Sequence, residues 1–472
     1  MSTPSTMSFL LYSLFLLTYI SQTQSFTNVY PKIKPEEYKN SGHQPLILTP
    51  LIKQGRIKEA QRAASVVFSD LRQVNSFAAY LTVNEQFNSN LFFWFFPSQI
   101  DYANAPVILW LQGGPGATSL LGLFTENGPF IVTPKEKLTL RKYSWTSSHS
   151  VIYIDNPVGT GYSFTDDGGY SQNETVIGEN LYNALLQFFQ LFPELQRNAF
   201  FVSGESYAGK YVPAVCYTIH KKNSGAVQKI NLKGLSMGNG LSDPINQLRY
   251  GEYLYQIGLI DSNVKKMIIE AEIKGIEYIQ KGDYVSAFGI FDNLLNGDLN
   301  NHSSLFKNVT GFNNYFNYLI ADDPDSSYMG KFIQRSDVRS AIHVGDAIFN
   351  GQNELVEKNL ISDIMRSVRD WVSELLSHYR VLIYNGQLDI IVAYPLTVNY
   401  LKNLNFSAAE EYKTAPRYPW RMHNDIAGYV KVAGNLTEVM VRNAGHMVPT
   451  DQPKWALDLI TRFTRNKPYH NA

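Results

Sequence analysis

Ser206 stands in the run Gly204-Glu205-Ser206-Tyr207-Ala208-Gly209, where small residues flank a serine and let the chain turn sharply. A serine on such a turn, after a strand and before a helix, presents its hydroxyl above a sheet edge as a nucleophile. A hydroxyl is a weak nucleophile at its free pKa, so it needs a base within hydrogen-bond reach and a third group to orient that base. Two candidates follow downstream. Asp389 ends the segment Asn385-Gly386-Gln387-Leu388-Asp389, and His446 lies in Asn443-Ala444-Gly445-His446-Met447-Val448-Pro449. Taken singly, Ser206 is a turn serine, Asp389 a helix N-cap and His446 one of nine histidines. Taken together, in the order Ser, Asp, His and each just after an apolar run, they form a set for acyl transfer: nucleophile, general base and orienting acid.

The elements that must position them alternate. Residues 51–67 read as a short helix, and residues 77–83 and 91–96 as two strands around a polar turn. Continuous apolar runs at 107–111 and 151–154 predict strands covered on both faces. Ile177, Leu181, Leu185, Phe188 and Phe192 recur with a helical period that stops at Pro193. Strands at 200–203 and 232–237 enclose a helix that starts at Tyr207, and the later strands fall at 381–384 and 437–441 before a final helix at 453–465 carrying Trp455, Leu459 and Phe463 on one face. From about 242 to 336 the alternation gives way to helical and polar segments. The expectation is an α/β-hydrolase fold: a central, mostly parallel sheet flanked by helices, with an inserted, mainly helical cap. Its parts are core at 26–241, cap at 242–336 and core again at 337–472.

Lys plus Arg equals Asp plus Glu at 41 each, so no net charge draws the chain to nucleic acid. An apolar run at 9–20, followed by small and polar residues, predicts a signal peptide over residues 1–25. With that segment cleaved no membrane anchor is expected, and the route is the secretory pathway, to secretion or to a lysosome. Sequons at Asn173, Asn301, Asn308, Asn405 and Asn435 agree with that route, and about three of them are expected to carry glycan. Cys216 is the single cysteine, so no intramolecular disulfide is available; its apolar neighbours predict a small buried hydrophobe.

The loop at Gln112, the turn at Ser206 and the segments around Asp389 and His446 together resemble the four signatures of the serine carboxypeptidase family, over nearly all of the mature chain. Leu109-Trp110-Leu111-Gln112-Gly113-Gly114-Pro115-Gly116 and Pro45-Leu46-Ile47-Leu48-Thr49-Pro50 most resemble its vitellogenic-carboxypeptidase-like branch. The resemblance implies a serine-type exopeptidase that acts on peptide C-termini with no metal and no cofactor. It implies an oxyanion hole from the backbone N–H groups of Gly114 and Tyr207. It assigns the reading of the substrate carboxylate to Gln112, Gly113, Glu126 and Glu205, with Trp110 and Met447 at the substrate pocket. Two glutamates facing a carboxylate make chemical sense only if they share protons, so cleavage is expected to be best at acidic pH. The family's usual Asn is Gln112 here, and Ala117 and Thr118 stand where many relatives have cysteine.

Two other readings use the same residues. An esterase or acyltransferase of this fold needs the same triad, and a secreted binding glycoprotein needs only the fold. Substrates without a free carboxylate, or an unreactive Ser206, mark those alternatives. A homodimer is compatible with the sequence, which is silent on oligomeric state.

Overall fold

The apolar runs become strands with almost no exposed residue. In the computed structural model, which describes residues 44–67, 74–297, 299, 302–322 and 327–469, twelve strands are found. The predicted signal peptide and Asn301 lie outside the described residues. The strands are β1 (Phe77–Asn84), β2 (Ser89–Phe96), β3 (Val107–Leu111), β4 (Phe130–Val132), β5 (Leu138–Leu140), β6 (Ser150–Ile154), β7 (Phe200–Glu205), β8 (Leu232–Gly238), β9 (Arg380–Gly386), β10 (Arg417–Met422), β11 (Asp425–Ala433) and β12 (Leu436–Val441). Ten form one sheet in the order β1-β2-β6-β3-β7-β8-β9-β12-β11-β10, while β4 and β5 make a separate hairpin. The six strands from β6 to β12 pair in parallel, and an antiparallel pair closes each edge. Strands buried on both faces must be apolar throughout, which is why β3, β6 and β7 have no position open to water.

Helices cover the faces. Two short ones, α1 (Thr49–Lys53) and α2 (Ile57–Ala64), replace the single helix expected over 51–67. The break falls at Gly55, which takes a left-handed φ of 71° and stops the first turn from propagating. Helix α3 (Glu174–Leu191) starts where the Asn173 side chain accepts from Val176 N at 3.0 Å, and it ends one residue before Phe192-Pro193. Its buried stripe includes Ile177, Leu181, Leu185 and Phe188. The Phe188 ring meets those of Phe93, Phe95 and Phe192 at centroid distances of 6.1, 5.0 and 5.0 Å, and so ties the helix to β2. Helix α4 (Ala208–Asn223) contains Pro213, whose missing N–H would orphan the Gly209 carbonyl; the Ser242 hydroxyl donates to that carbonyl at 2.8 Å instead. Cys216, on α4, is fully buried, and burial pushes its thiol pKa up, away from reactivity.

Between β8 and β9 the chain runs mainly through helices, among them α5 (Tyr250–Gln256), α6 (Ser262–Gln280), α7 (Tyr284–Phe291), α8 (Glu354–Ile364) and α9 (Arg369–Leu376); α10 (Pro453–Thr464) closes the chain. The antiparallel pair β10 and β11 was not expected. Most of β10 is exposed and it includes Pro419, so an edge strand of this kind has neither an apolar run nor a clean alternation to betray it. Among the described residues no helix is long and apolar enough to cross a membrane.

Truncating Phe188 to alanine removes the ring on which α3 seats. The Phe188→Ala protein is expected to lose about 3–5 kcal/mol in urea unfolding, while its folded fraction keeps its activity.

Candidate active site

Four loops meet at the carboxyl ends of β3, β7, β9 and β12. Ser206 follows β7 directly and takes φ of 64°, a left-handed conformation that is costly for a residue with a side chain. Backbone bonds hold it there: its N–H donates to Gly238 O at 3.0 Å, and its carbonyl accepts from Gly209 N at 2.9 Å and Leu241 N at 3.0 Å. Its small neighbours are required by space. A Cβ on Gly204 would lie 2.7 Å from both the Leu111 carbonyl and the Ala208 methyl, and one on Gly209 would strike Gly240 at 2.7 Å. Glycine at 204 and 209 thus lets the turn pack against β3 and the segment after β8.

Asp389 and His446 are fully buried and joined, His446 Nδ1 to Asp389 Oδ2 at 2.9 Å. With the proton on Nδ1, the other ring nitrogen, Nε2, is the acceptor, and it has no hydrogen-bond partner. The Asp389 carboxylate is further held by Asn239 Nδ2 at 2.7 Å, Ile391 N at 3.1 Å and Val392 N at 3.2 Å. Asn239 completes a bridge between β8 and β9 by accepting from Gly386 N at 3.1 Å. The segment after α7 grips both loops: Phe316 stacks on the His446 ring with centroids 5.0 Å apart and its carbonyl accepts from His446 N at 2.6 Å, while the Tyr315 carbonyl accepts from Ile390 N at 3.1 Å. The Tyr253 hydroxyl donates to the Asp389 carbonyl at 2.7 Å.

Beside the serine turn lies a buried acid pair. Gln112 Nε2 donates to Glu126 Oε1 at 3.0 Å and to Glu205 Oε1 at 3.1 Å, and Trp110 Nε1 donates to Gln112 Oε1 at 3.0 Å, which fixes the amide's orientation. Gly122 must lack a side chain, because a Cβ there would lie 2.2 Å from Trp110 Nε1. If both carboxyls were ionised, Oε2 of each would have no donor. A proton shared between them supplies the missing bond, and burial favours holding it: burial raises the Glu126 pKa to about 7 against the bonds from Glu205 and Gln112. Burial, then the negative charge of Glu126, pushes Glu205 well above the ordinary carboxyl range. The loop that carries Gln112 is pinned through Asp155, whose carboxylate accepts from Thr118 Oγ1 at 2.6 Å, Ser119 N at 2.9 Å and Tyr162 N at 2.8 Å. Thr118 therefore has a bonding role of its own.

Gly113 sits so close to the nucleophile turn that a Cβ on it would be 2.4 Å from Tyr207 N. Next to it, Gly114 and Tyr207 border a cavity that Ser206, Leu241, Tyr250, Phe288 and Val392 also line. Neither Trp110 nor Met447 lines that cavity. Trp110 is wholly buried behind Gln112, to which its Nε1 donates, and Met447 is half-buried against the core. Of the glycosylation candidates, Asn173 is half-buried while Asn308, Asn405 and Asn435 are exposed.

The serine carboxypeptidase family profile matches residues 68–466. The chain belongs to the serine carboxypeptidase family. It is 56% identical to the venom serine carboxypeptidase of Apis mellifera, covering 96% of this chain and 98% of the relative, and 48% identical to the vitellogenic carboxypeptidase of Aedes aegypti, covering 94% and 96%. Among solved structures, a prohormone-processing carboxypeptidase from Saccharomyces cerevisiae superposes with a TM-score of 0.75 at 24% identity, over 86% of this chain and 96% of that one, and bears out the fold. The family and the branch read from the motifs are those found. The sequence reading missed Asn239, Phe316, Tyr253 and Asp155. Gly238-Asn239-Gly240 did mark a strand end with residues that tolerate a left-handed turn, but nothing local showed that Asn239 reaches Asp389.

Two outcomes follow for a family member built this way. Gly113→Ala forces the loop away from Tyr207 N, so its turnover number is expected to fall about a hundredfold or more while the fold is retained, as read by steady-state kinetics and circular dichroism. A carboxyl whose folded pKa is raised stabilises fully below its unfolded value of 4.5 and loses that stabilisation as pH climbs through about 7. The melting temperature of Glu126→Gln minus that of wild type is therefore expected to rise between acidic and mildly alkaline pH, by scanning calorimetry at matched ionic strength.

Proposed function

We propose that the chain releases the C-terminal residue of a peptide through an acyl-enzyme on Ser206, and does so best at acidic pH. The observation that carries this reading is the buried Glu126–Gln112–Glu205 cluster directly beside the nucleophile turn, since Glu205 precedes Ser206 in the chain.

His446 Nε2, already free of other partners, takes the proton as Ser206 Oγ attacks the scissile carbonyl. Asp389 keeps the ring in the tautomer this needs and stabilises the imidazolium. The N–H groups of Gly114 and Tyr207 receive the developing oxyanion. Collapse breaks the C–N bond, and His446 returns the proton to the leaving amine. Water, deprotonated by the same nitrogen, then hydrolyses the ester and frees Ser206.

The substrate's terminal carboxylate is read by the Gln112 amide, the Gly113 N–H and the proton held on the glutamate pair. A carboxylic acid donates a hydrogen bond to a carboxylate, whereas a carboxylate repels it. As pH rises through about 7 the pair gains negative charge, so affinity for a free-acid substrate falls. An amide or ester substrate escapes that penalty. An acidic lumen, secreted or lysosomal, suits this dependence, and the venom name of the bee relative supports a secretory route. Residues 242–336 are proposed to act as the cap over this site.

The test is release of free amino acid from an N-blocked dipeptide and from its C-terminal amide, across pH. The free acid is expected to be turned over faster at acid pH, with KM rising above neutrality, and Ser206→Ala is expected to be inactive on both. Equal turnover of acid and amide at all pH values would remove the carboxylate-reading role from Glu126 and Glu205.

A further inference from the structure

Asn173 joins two features that the proposed activity does not use. It opens the sequon Asn173-Glu174-Thr175 with Thr175 exposed, and it caps α3 with its side-chain oxygen only. It also forms part of the wall of a groove of about 890 Å³ between the start of α3, Tyr284 of α7 and the connection from α8 to α9. The groove is built from chemistry that suits a sugar. Trp371 lines it with its ring stacked on Tyr217, centroids 5.4 Å apart and planes at 17°, which fixes the indole as a flat apolar platform. Ser362, Ser367, Arg369 and Asp370 stand exposed around it as donors and acceptors for hydroxyls.

We propose that the N-linked glycan of Asn173 folds back into this groove, with its core sugars seated against Trp371. Attachment at the rim makes the effective concentration of the sugar about millimolar, so contacts too weak to capture a free saccharide suffice for a tethered one. Asn405 and Asn435 are exposed instead, so a glycan on either is expected to stand free in solvent.

The experiment uses full-length protein secreted from insect cells, digested without denaturation by peptide-N-glycosidase F, with release at each sequon followed by mass spectrometry of the Asn-to-Asp conversion. A glycan that leaves the groove a tenth of the time is cut about tenfold more slowly, so Asn173 is expected to lag Asn405 by at least about that factor. Trp371→Ala, which removes the platform, and Ser367→Trp, which fills the groove from an exposed position, are each expected to bring Asn173 to within about threefold of Asn405. The second variant serves if the first is not secreted. A bare Asn173 beside a glycosylated Asn405, equal release from both sites in wild type, or a lag that survives the variants overturns the inference. Absence of glycan from every sequon likewise overturns it, and leaves the peptidase reading to the dipeptide assay.

Discussion

A side-chain-bearing residue held at positive φ on top of the central strand is the constraint around which the rest of this site is arranged. Ser206 at φ of 64° costs about 1–3 kcal/mol, a cost the surrounding backbone must offset. Its carbonyl is shared by Gly209 and Leu241, its N–H is taken by Gly238, and the turn fits only because 204 and 209 lack side chains. The same tight turn lets Gly113 approach Tyr207 N within a distance that no Cβ survives. Strain at Ser206 and the close seat of the Gly113 loop against Tyr207 N are thus one geometrical fact.

Burial of charge organises the remainder. Asp389 is tolerated in the interior because His446, Asn239 and two backbone N–H groups meet its oxygens. Glu126 and Glu205 have only the Gln112 amide and each other, so they stay near neutrality by retaining a proton. The contrast is one of donors: Asp389 is surrounded by them, and the glutamate pair has few. Within the pair, Trp110 matters through its grip on Gln112 Oε1, which leaves the amide N–H atoms to face the acids.

The segment around Tyr315 and Phe316 shows how the helical excursion between β8 and β9 enters the site. It bonds to the backbone of the Asp389 loop and of the His446 loop and lays a ring on the imidazole. Because these bonds come from main-chain carbonyls, almost any sequence there makes them, and no residue type advertises them. Asn239 is the opposite case: its side chain is specific, but its partner is 150 residues away. The edge strand β10 escaped notice for a third reason, since an exposed strand carries no hydrophobic pattern.

What the sequence determined by itself was whatever is local or ordered along the chain: the buried parallel strands, the crossover helix α3, the glycine-flanked serine turn, and the order Ser, Asp, His that with the four motifs placed the chain in its family. Periodicity and turn chemistry act over a few residues, so they are legible without neighbours. The tertiary structure alone decided which polar groups share an interior. That Glu126 shares an amide with Glu205, that Asn239 steadies Asp389, that Trp110 backs Gln112, and that Asn173 overlooks a groove all depend on desolvation and on contacts between distant segments. Those quantities exist only once the chain has folded around them.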